Sequence, residues 1–205
     1  MVKKITILGV LEPFLSTPDE QLHLAHISRA LQEPHPTVRQ HLNLLEKDGL
    51  LKKSHKGRLS LYKLNRDHPL LIDYLVIAEK NRLIRACHKR PVVKELVHFL
   101  HENYSDFACC IFGSAVQSFI KANDIDLLVV GNVEKKKLEH FGKKFNKPVH
   151  LIQVQNLKAV SRTLKKELEK THLIVQGSEK FVCWLYGNNQ LVSETEERNT
   201  FDRNK

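Results

Sequence analysis

Two short apolar runs in the second half of the chain constrain its fold most strongly. Residues 107–112 (FACCIF) and 125–130 (IDLLVV) are too short for ordinary buried helices, and a Gly-Ser pair follows the first run. Apolar runs of about four to eight residues between turn signals are typical of strands buried on both faces. A third apolar run at 149–154 and helical patterns at about 134–145 and 156–170 complete an alternating order. This order predicts an α/β domain with a mixed sheet.

The amino-terminal part of the chain has helical periodicity instead. Its apolar residues recur every three or four positions and predict three helices, at about residues 7–16, 20–31 and 36–48. Leucines then flank a polar turn centred on Lys56 and Gly57, which predicts a two-stranded hairpin. Three helices followed by such a hairpin describe a winged helix-turn-helix arrangement.

The third predicted helix has the pattern that a DNA-reading helix needs. Such a helix buries one face and points short polar or basic side chains into the major groove from its first turns. With Val38, Leu42 and Leu45 turned inward, the side chains near the amino end can contact base edges or phosphates. These candidates are Thr37, Arg39, Gln40 and Asn43. The hairpin adds cations suited to backbone contact, namely Lys52, Lys53, Lys56, Arg58 and Lys63.

The charge balance also favours a polyanionic partner. The chain has 33 Lys and Arg against 23 Asp and Glu, a formal net charge of +10 that attracts nucleic acid. The segment TVRQHLNLLEKDGLLKK at 37–53 resembles the winged-helix domains of bacterial and archaeal repressors, and the resemblance covers about residues 4–65. It implies double-stranded DNA as the partner. Winged helices also serve as protein-docking modules, so that alternative stays open.

A pair of aspartates at the start of the second apolar run predicts a metal site. In an extended strand, residues two apart point to the same face, so Asp124 and Asp126 project together. Two carboxylates this close can hold Mg²⁺ ions that neutralise a triphosphate and activate a hydroxyl. Gly113 and Ser114 directly follow a strand, where glycine lets the backbone approach a phosphate and the hydroxyl can donate to it. The alternative for the aspartates is a solvated strand end.

The same segment resembles a known enzyme superfamily. A strand, Gly-Ser, nine further residues and DIDLLVV are similar to the signature of the DNA polymerase β-like nucleotidyltransferases, especially the minimal members, over about residues 92–186. The resemblance implies that Gly113 and Ser114 grip a nucleoside triphosphate and that Asp124 and Asp126 bind divalent metal and act in catalysis. It also implies a third carboxylate on a later strand, which helps to activate the acceptor hydroxyl.

The sequence departs from that signature in two places. The family usually follows Gly-Ser with a small residue, an Arg or Lys and a Gly, whereas this chain has AVQSF. The strand expected to supply the third carboxylate, KPVHLIQVQ, contains no acid, and His150 occupies the expected position. Histidine can act as a base near neutral pH, but it is a poor ligand for Mg²⁺, which prefers oxygen.

Two functions therefore stay open. The first, which we prefer, is a DNA-binding transcriptional regulator whose degenerate nucleotidyltransferase-like domain binds a nucleotide or docks a partner. The second is an active, antitoxin-like, Mg²⁺-dependent nucleotidyltransferase that moves a nucleoside monophosphate onto a protein or RNA hydroxyl. Losing one member of a concerted catalytic set commonly removes most of the rate, which weighs against the second. The resemblance to minimal members also implies a helical, toxin-like protein partner.

These patterns predict an α+β chain with four segments. They are a winged-helix domain at 1–66, a linker helix at 67–90 that can pair with a second subunit in a homodimer, a nucleotidyltransferase-like domain at 91–187 and a polar tail at 188–205. No apolar run approaches the roughly 20 residues of a membrane helix. The start of the chain lacks the pattern of a signal peptide, and its four cysteines show no C-x-x-C spacing. A cytoplasmic protein is therefore expected.

Overall fold

The structure, a computed structural model, describes residues 6–187 of the chain. The predicted tail at 188–205 and residues 1–5 lie outside this described part. Within it, the chain forms an α+β fold with a three-stranded antiparallel sheet and a four-stranded mixed sheet, as the sequence predicts at this level. Among residues 6–187, no helix combines the length and the hydropathy that crossing a membrane requires.

The amino-terminal elements form the three-stranded sheet and the helices that pack against it. They are a 3-10 helix at Ile7–Leu15, β1 at Leu22–His23, α1 at Leu24–Leu31, α2 at His35–Lys47, β2 at Leu51–Lys56 and β3 at Leu59–Leu64. The strand order is β1-β3-β2, and both pairings are antiparallel. The predicted hairpin is confirmed, with a turn at Gly57 whose φ of +59° glycine adopts without steric cost.

The second predicted helix begins later than the sequence indicates. Helical spacing places Leu22 in that helix, but Leu22 and His23 pair with Tyr62 and Leu61 and form a short strand. The partner strand lies far along the chain, so local periodicity carries no signal of this pairing. His23 then caps α1, because its Nδ1 accepts a hydrogen bond from the backbone N–H of His26 at 3.1 Å.

The carboxy-terminal elements build the mixed sheet. They are α3 at Leu71–Lys89, α4 at Pro91–Asn103, β4 at Phe107–Phe112, α5 at Ser114–Gln117, β5 at Ile125–Gly131, α6 at Lys135–Lys144, β6 at Val149–Val154, a 3-10 helix at Leu157–Ala159, α7 at Arg162–Lys170, β7 at His172–Gln176 and α8 at Ser178–Tyr186. The strand order is β6-β5-β4-β7, in which β5 and β6 are parallel and the other pairings are antiparallel. The predicted strands at 107–112 and 149–154 are confirmed.

The helix expected at 156–170 is wrong in its first part. Val160 has an extended backbone and separates the 3-10 helix from α7. Ser161 then caps α7, since its side chain accepts a hydrogen bond from the Leu164 N–H at 3.2 Å. Serine at this position competes with a continuous helix by offering the backbone a local hydrogen bond, and the helix restarts after it.

Both faces of the mixed sheet are covered, and one of them joins the two halves of the molecule. α4 and α6 cover one face, where Leu96 and Leu138 are fully buried. α3 and α8 cover the other face, and their apolar side chains continue into the core of the amino-terminal elements through Phe14 and Leu15 of the first 3-10 helix. The amino-terminal sheet and one face of the mixed sheet therefore share a continuous hydrophobic core.

A buried polar network lies in this shared core. The Glu79 carboxylate of α3 is fully buried, with His172 Nε2 at 2.8 Å from Oε1 and an Arg82 guanidinium nitrogen at 2.9 Å from Oε2. The Tyr186 hydroxyl of α8 donates its single proton to the backbone carbonyl of Leu15 at 2.8 Å, and Glu79 Oε1 lies 3.2 Å from the same hydroxyl oxygen. Burial alone raises the pKa of Glu79, but the charges of Arg82 and His172 hold that pKa below its usual value of 4.5. The Tyr186 hydroxyl thus links α8 to the first 3-10 helix, and the ionised Glu79 carboxylate links α3 to His172 of β7.

Candidate functional site

The exposed face of α2 carries polar and basic side chains. Pro36 lies in the first turn, where its missing N–H costs no helical hydrogen bond. The opposite face is anchored in the core by three fully buried residues, Val38, Leu42 and Leu45. Arg39, Gln40 and Asn43 are exposed and share one face, whereas Thr37 is half-buried beside them. Three of the four predicted α2 contacts therefore present their side chains together to solvent.

The tip of the β2-β3 hairpin presents two unpaired cations. Lys56 and Arg58 flank Gly57 and are exposed, and no carboxylate in residues 6–187 forms an ion pair with either within 4.0 Å. No atom lies within 4 Å of a Cβ built on Gly57, so the tip projects into open space. Both cations are free to approach an external phosphate.

The base of the hairpin is held to the rest of the protein by its own lysines. Lys52 forms an exposed ion pair with Asp67 at 2.7 Å. Lys53 Nζ lies 3.5 Å from Glu46 Oε2, near the end of α2, and 5.6 Å from the centroid of the Tyr62 ring. These contacts place the hairpin beside α2, and they occupy Lys53 in part.

The second candidate site lies where β5 begins. β5 starts at Ile125, so Asp124 precedes the strand and Asp126 is its second residue. In the parallel pairing with β6, Asp126 lies opposite His150. One oxygen from each aspartate and one ring nitrogen of His150 lie within 4.8 Å of one another, and this group could hold a metal ion. The structure therefore brings together both predicted aspartates and His150.

The donor set of this group fits a divalent cation. Carboxylate oxygens suit Mg²⁺ and Mn²⁺, whereas an imidazole nitrogen suits transition metals and is a weak partner for Mg²⁺. Partial burial raises the pKa of Asp126, and the negative charge of Asp124 raises it further. His150 Nδ1, which lies 3.5 Å from Asp126 Oδ1, opposes this shift, and Glu167 of α7 adds to it. A bound cation would relieve this repulsion between carboxylates.

Gly113 fits closely against Asp126. Its φ is +69°, and a Cβ built on it would lie 2.5 Å from Asp126 Oδ2, so any larger residue would have to displace the carboxylate. Ser114 begins the four-residue helix α5 and is exposed. Its hydroxyl makes no hydrogen bond with the part of the chain that the structure describes. Because Gly113 has no side chain, one side of the Asp126 carboxylate stays open. The free Ser114 hydroxyl follows directly in the chain.

Sequence reasoning misses the cations that lie between the two halves of the molecule. Arg82, Arg85 and Lys89 of α3, together with Arg90 and Lys170, line a cavity at this junction. The α3 members recur at three and four positions, so a count of basic residues along that helical face could have found them. Arg90 also donates to the backbone carbonyls of Val116 and Gln117 in α5.

Comparison with known proteins yields a distant structural match and no family. No protein-family model matches the chain, and no curated protein matches it. Among solved structures, the chain is similar to TrmBL2, an archaeal chromatin protein whose structure shows a novel mode of DNA binding. That match has 10% sequence identity and a TM-score of 0.27, and it covers 96% of this chain and 94% of that chain. These matches assign no family.

Proposed function

We propose that this chain is a DNA-binding transcriptional regulator. In this proposal, residues 1–66 are a winged-helix domain whose helix α2 enters the major groove while the hairpin follows the phosphate backbone. Residues 67–90 are a linker helix that also pairs two subunits in a homodimer. Residues 91–187 are a nucleotidyltransferase-like domain that binds a nucleotide or docks a partner through the group at Asp124 and Asp126.

The observation that carries the proposal is the position of a basic hairpin beside the polar face of α2. The Lys53–Glu46 contact holds the hairpin against the last turns of the helix. Arg39 and Asn43 offer donors for base edges, and the tip cations Lys56 and Arg58 are free for phosphates. Leu44 of α2 and Leu59 of the hairpin are also exposed beside these side chains, so it is the positive charge of the surface that favours a polyanion over a protein partner.

Fluorescence anisotropy with labelled duplexes from upstream of the gene tests this proposal. In Lys56→Gln/Arg58→Gln we expect about tenfold weaker binding at moderate salt, because two phosphate contacts are lost. The slope of log affinity against log salt concentration should fall by about 1.8, since each phosphate contact contributes about 0.9. In Arg39→Ala/Asn43→Ala, the preference for the specific duplex over random duplex should shrink.

The matched control is Lys121→Gln/Lys136→Gln, which removes the same net charge from exposed positions outside the candidate interface. It should leave both the affinity and the salt slope nearly unchanged. Absence of duplex binding by the unmodified protein at moderate salt would contradict the proposal. An equal loss of affinity in the control and in the hairpin variant would mean that DNA binding depends on net charge alone and not on the hairpin.

An active nucleotidyltransferase is the second candidate, and the convergence of two carboxylates favours it. Asp124 and Asp126 would hold the cation, with Glu167 nearby as a further negative charge and Ser114 placed to donate to a phosphate. When bound, the cation would supply charge neutralisation for a nucleoside triphosphate such as ATP. His150 is the residue available to accept a proton from the acceptor hydroxyl. That hydroxyl would belong to RNA or to a protein, including a helical, toxin-like partner.

Incubation with labelled nucleoside triphosphates, Mg²⁺ or Mn²⁺, and pools of RNA and protein acceptors tests the enzymatic candidate. Transfer that disappears in Asp124→Asn/Asp126→Asn would establish it, because these substitutions keep the shape and remove the charges. Transfer that persists in the double variant would reject this site as its source. DNA binding by the same double variant should be unchanged, which keeps the two candidate functions separable.

A further inference from the structure

A cavity lies at the junction between the amino-terminal elements and the mixed sheet. Its volume is about 340 Å³, within the range of sites that bind small ligands. One wall comes from the first 3-10 helix and α3, and the other from α5 and the start of β7. Neither the aspartates nor His150 of the carboxylate group line it. The cavity is therefore a second concave site, formed by different side chains.

Positive charge dominates the lining of this cavity. Five cations line it, namely Arg82, Arg85, Lys89, Arg90 and Lys170, against the single carboxylate of Glu12. Glu12 pairs with Arg85, and the buried Glu79 behind the wall pairs with Arg82. Lys89 and Lys170 have no carboxylate within 4.0 Å in the described residues. Converging cations at a concave surface raise the local potential well above that of scattered surface charges.

Arginine side chains form part of the cavity wall. The Nε atoms of Arg82 and Arg85 are buried and lack a hydrogen-bond partner among the described residues. Both atoms have almost no solvent-exposed area, so a ligand in the cavity would meet the other guanidinium nitrogens instead. Guanidinium groups present planar forks of donors that match phosphate oxygens.

We propose that this cavity binds a small molecule bearing phosphate groups. The excess of cations over carboxylates matches a multiply charged anion, and the guanidinium and ammonium groups of the lining match its oxygens. The volume of about 340 Å³ suits a small ligand instead of a polymer. The ligand contacts lie outside α2 and the hairpin, so the proposal does not rest on DNA contacts, although three of the cations lie on the helix that the proposed function assigns to subunit pairing.

Isothermal titration calorimetry with inorganic pyrophosphate, in the absence of DNA and at fixed ionic strength, tests the proposal on the full chain. The key variant is Lys89→Gln/Lys170→Gln, since both lysines are exposed and have no carboxylate partner that the fold would lose. We expect its affinity for pyrophosphate to fall about tenfold or more, because charge-assisted hydrogen bonds are lost. The matched control Lys121→Gln/Lys136→Gln removes the same charge from exposed positions away from the cavity.

A parallel titration with ADP distinguishes a bare phosphate ligand from a nucleotide. Tighter binding of ADP than of pyrophosphate would support a nucleoside diphosphate, and equal binding would support recognition of the phosphates alone. Absence of binding heat with both probes at about 10 mM would overturn the proposal. So would an unchanged affinity in Lys89→Gln/Lys170→Gln, or an equal loss in the control variant. ADP binding that is lost in Asp124→Asn/Asp126→Asn and retained in the lysine variant would place the ligand at the carboxylate group and overturn it too.

Discussion

The charged side chains of the hairpin tip are exposed to solvent, whereas those of the carboxylate group are partly buried and close together. Lys56 and Arg58 stand in solvent without a carboxylate within 4.0 Å in the described residues, so their contribution to folding is small and they are free for a partner. Asp124 and Asp126 are half-buried and close together, so their mutual repulsion opposes folding unless a cation offsets it. Exposed charge of this kind is available for binding at little cost in stability. A cluster of partly buried carboxylates is a better indication of a specific ligand.

Glu79→Gln has the largest expected effect, because it acts on the core that joins both regions. The variant leaves Arg82 buried without its carboxylate, and breaking a buried ion pair costs about 3 to 5 kcal/mol. Urea unfolding followed by circular dichroism and by Trp184 fluorescence should show coincident transitions at lower urea. Glu95→Ala, at an exposed position of α4, is the control and should change the free energy of unfolding by less than about 0.5 kcal/mol.

The pH dependence of the same variant gives a second measurement. The folded-state pKa of Glu79 is lowered from 4.5, so its stabilising contribution is present above that value and is lost as pH falls through the lowered pKa. In Glu79→Gln this acid-dependent loss should be smaller than in the unmodified chain.

In the urea experiment, two separate unfolding transitions of Glu79→Gln, with the amino-terminal elements unaffected, would contradict the shared core. They would show that the hairpin region and the mixed sheet unfold independently.

Gly113→Ala should affect the carboxylate group and leave the hairpin region unchanged. The new Cβ would collide with the Asp126 carboxylate, and φ at +69° strains any residue with a side chain. We expect a loss of about 2 kcal/mol in the free energy of unfolding, together with loss of metal-induced stabilisation. Gly57→Ala has a similar φ of +59° but no atom within 4 Å of its Cβ, so it should cost less. A fall in DNA affinity for Gly113→Ala would show that the carboxylate group and the hairpin region are not independent.

Asp126→Asn tests whether repulsion at the carboxylate group opposes folding. Because the folded-state pKa of Asp126 is raised, its ionised form costs stability above that pKa, and the cost disappears as pH falls through it. Without metal at pH 7, the variant should therefore be more stable than the unmodified chain, by less than about 1 kcal/mol since solvent screens the group. Melting temperatures measured with and without MnCl₂ provide the comparison.

The same melting experiment identifies the preferred cation. Mn²⁺ should raise the melting temperature of the unmodified chain more than Mg²⁺ does, because one of the three ligands is an imidazole. The shift should shrink at acidic pH, where protons compete with the metal for Asp126, whose pKa is raised. In Asp126→Asn the shift should be absent. A metal-dependent shift that survives in this variant would exclude the carboxylate group as the metal site.

Sequence reasoning reaches those parts of the fold and the site that local spacing encodes. The strands at 107–112 and 149–154 follow from apolar runs, and the proximity of Asp124 and Asp126 follows from their spacing. The alignment of His150 with Asp126 depends on the register of two parallel strands, which the family resemblance indicates and local spacing does not. The pairing of strands that are distant in the sequence leaves no signal in the local residue pattern.

Two features that depend on contacts between residues distant in the sequence cannot be predicted from local patterns at all. The β1 strand at Leu22 exists because Tyr62 offers it a partner, whereas its own spacing is helical. The contact between Glu79 and His172 joins residues 93 positions apart. An acid in a helix that otherwise buries apolar residues looks like a solvent-facing position until its partner is known. Such contacts depend on tertiary packing, which overrides local preference.

Lys53→Gln has the smallest expected effect and tests how far the hairpin cations are equivalent. Lys53 is half-buried, contacts Glu46 at 3.5 Å and lies over Tyr62, so it positions the hairpin while Lys56 and Arg58 remain free. The loss of such a partly exposed pair should cost about 0.5 kcal/mol or less in the free energy of unfolding. DNA affinity should fall less than in either single variant, Lys56→Gln or Arg58→Gln, as measured by anisotropy at one salt concentration. A larger fall for Lys53→Gln would mean that its ammonium leaves Glu46 for a phosphate when DNA binds, and that the base of the hairpin belongs to the interface.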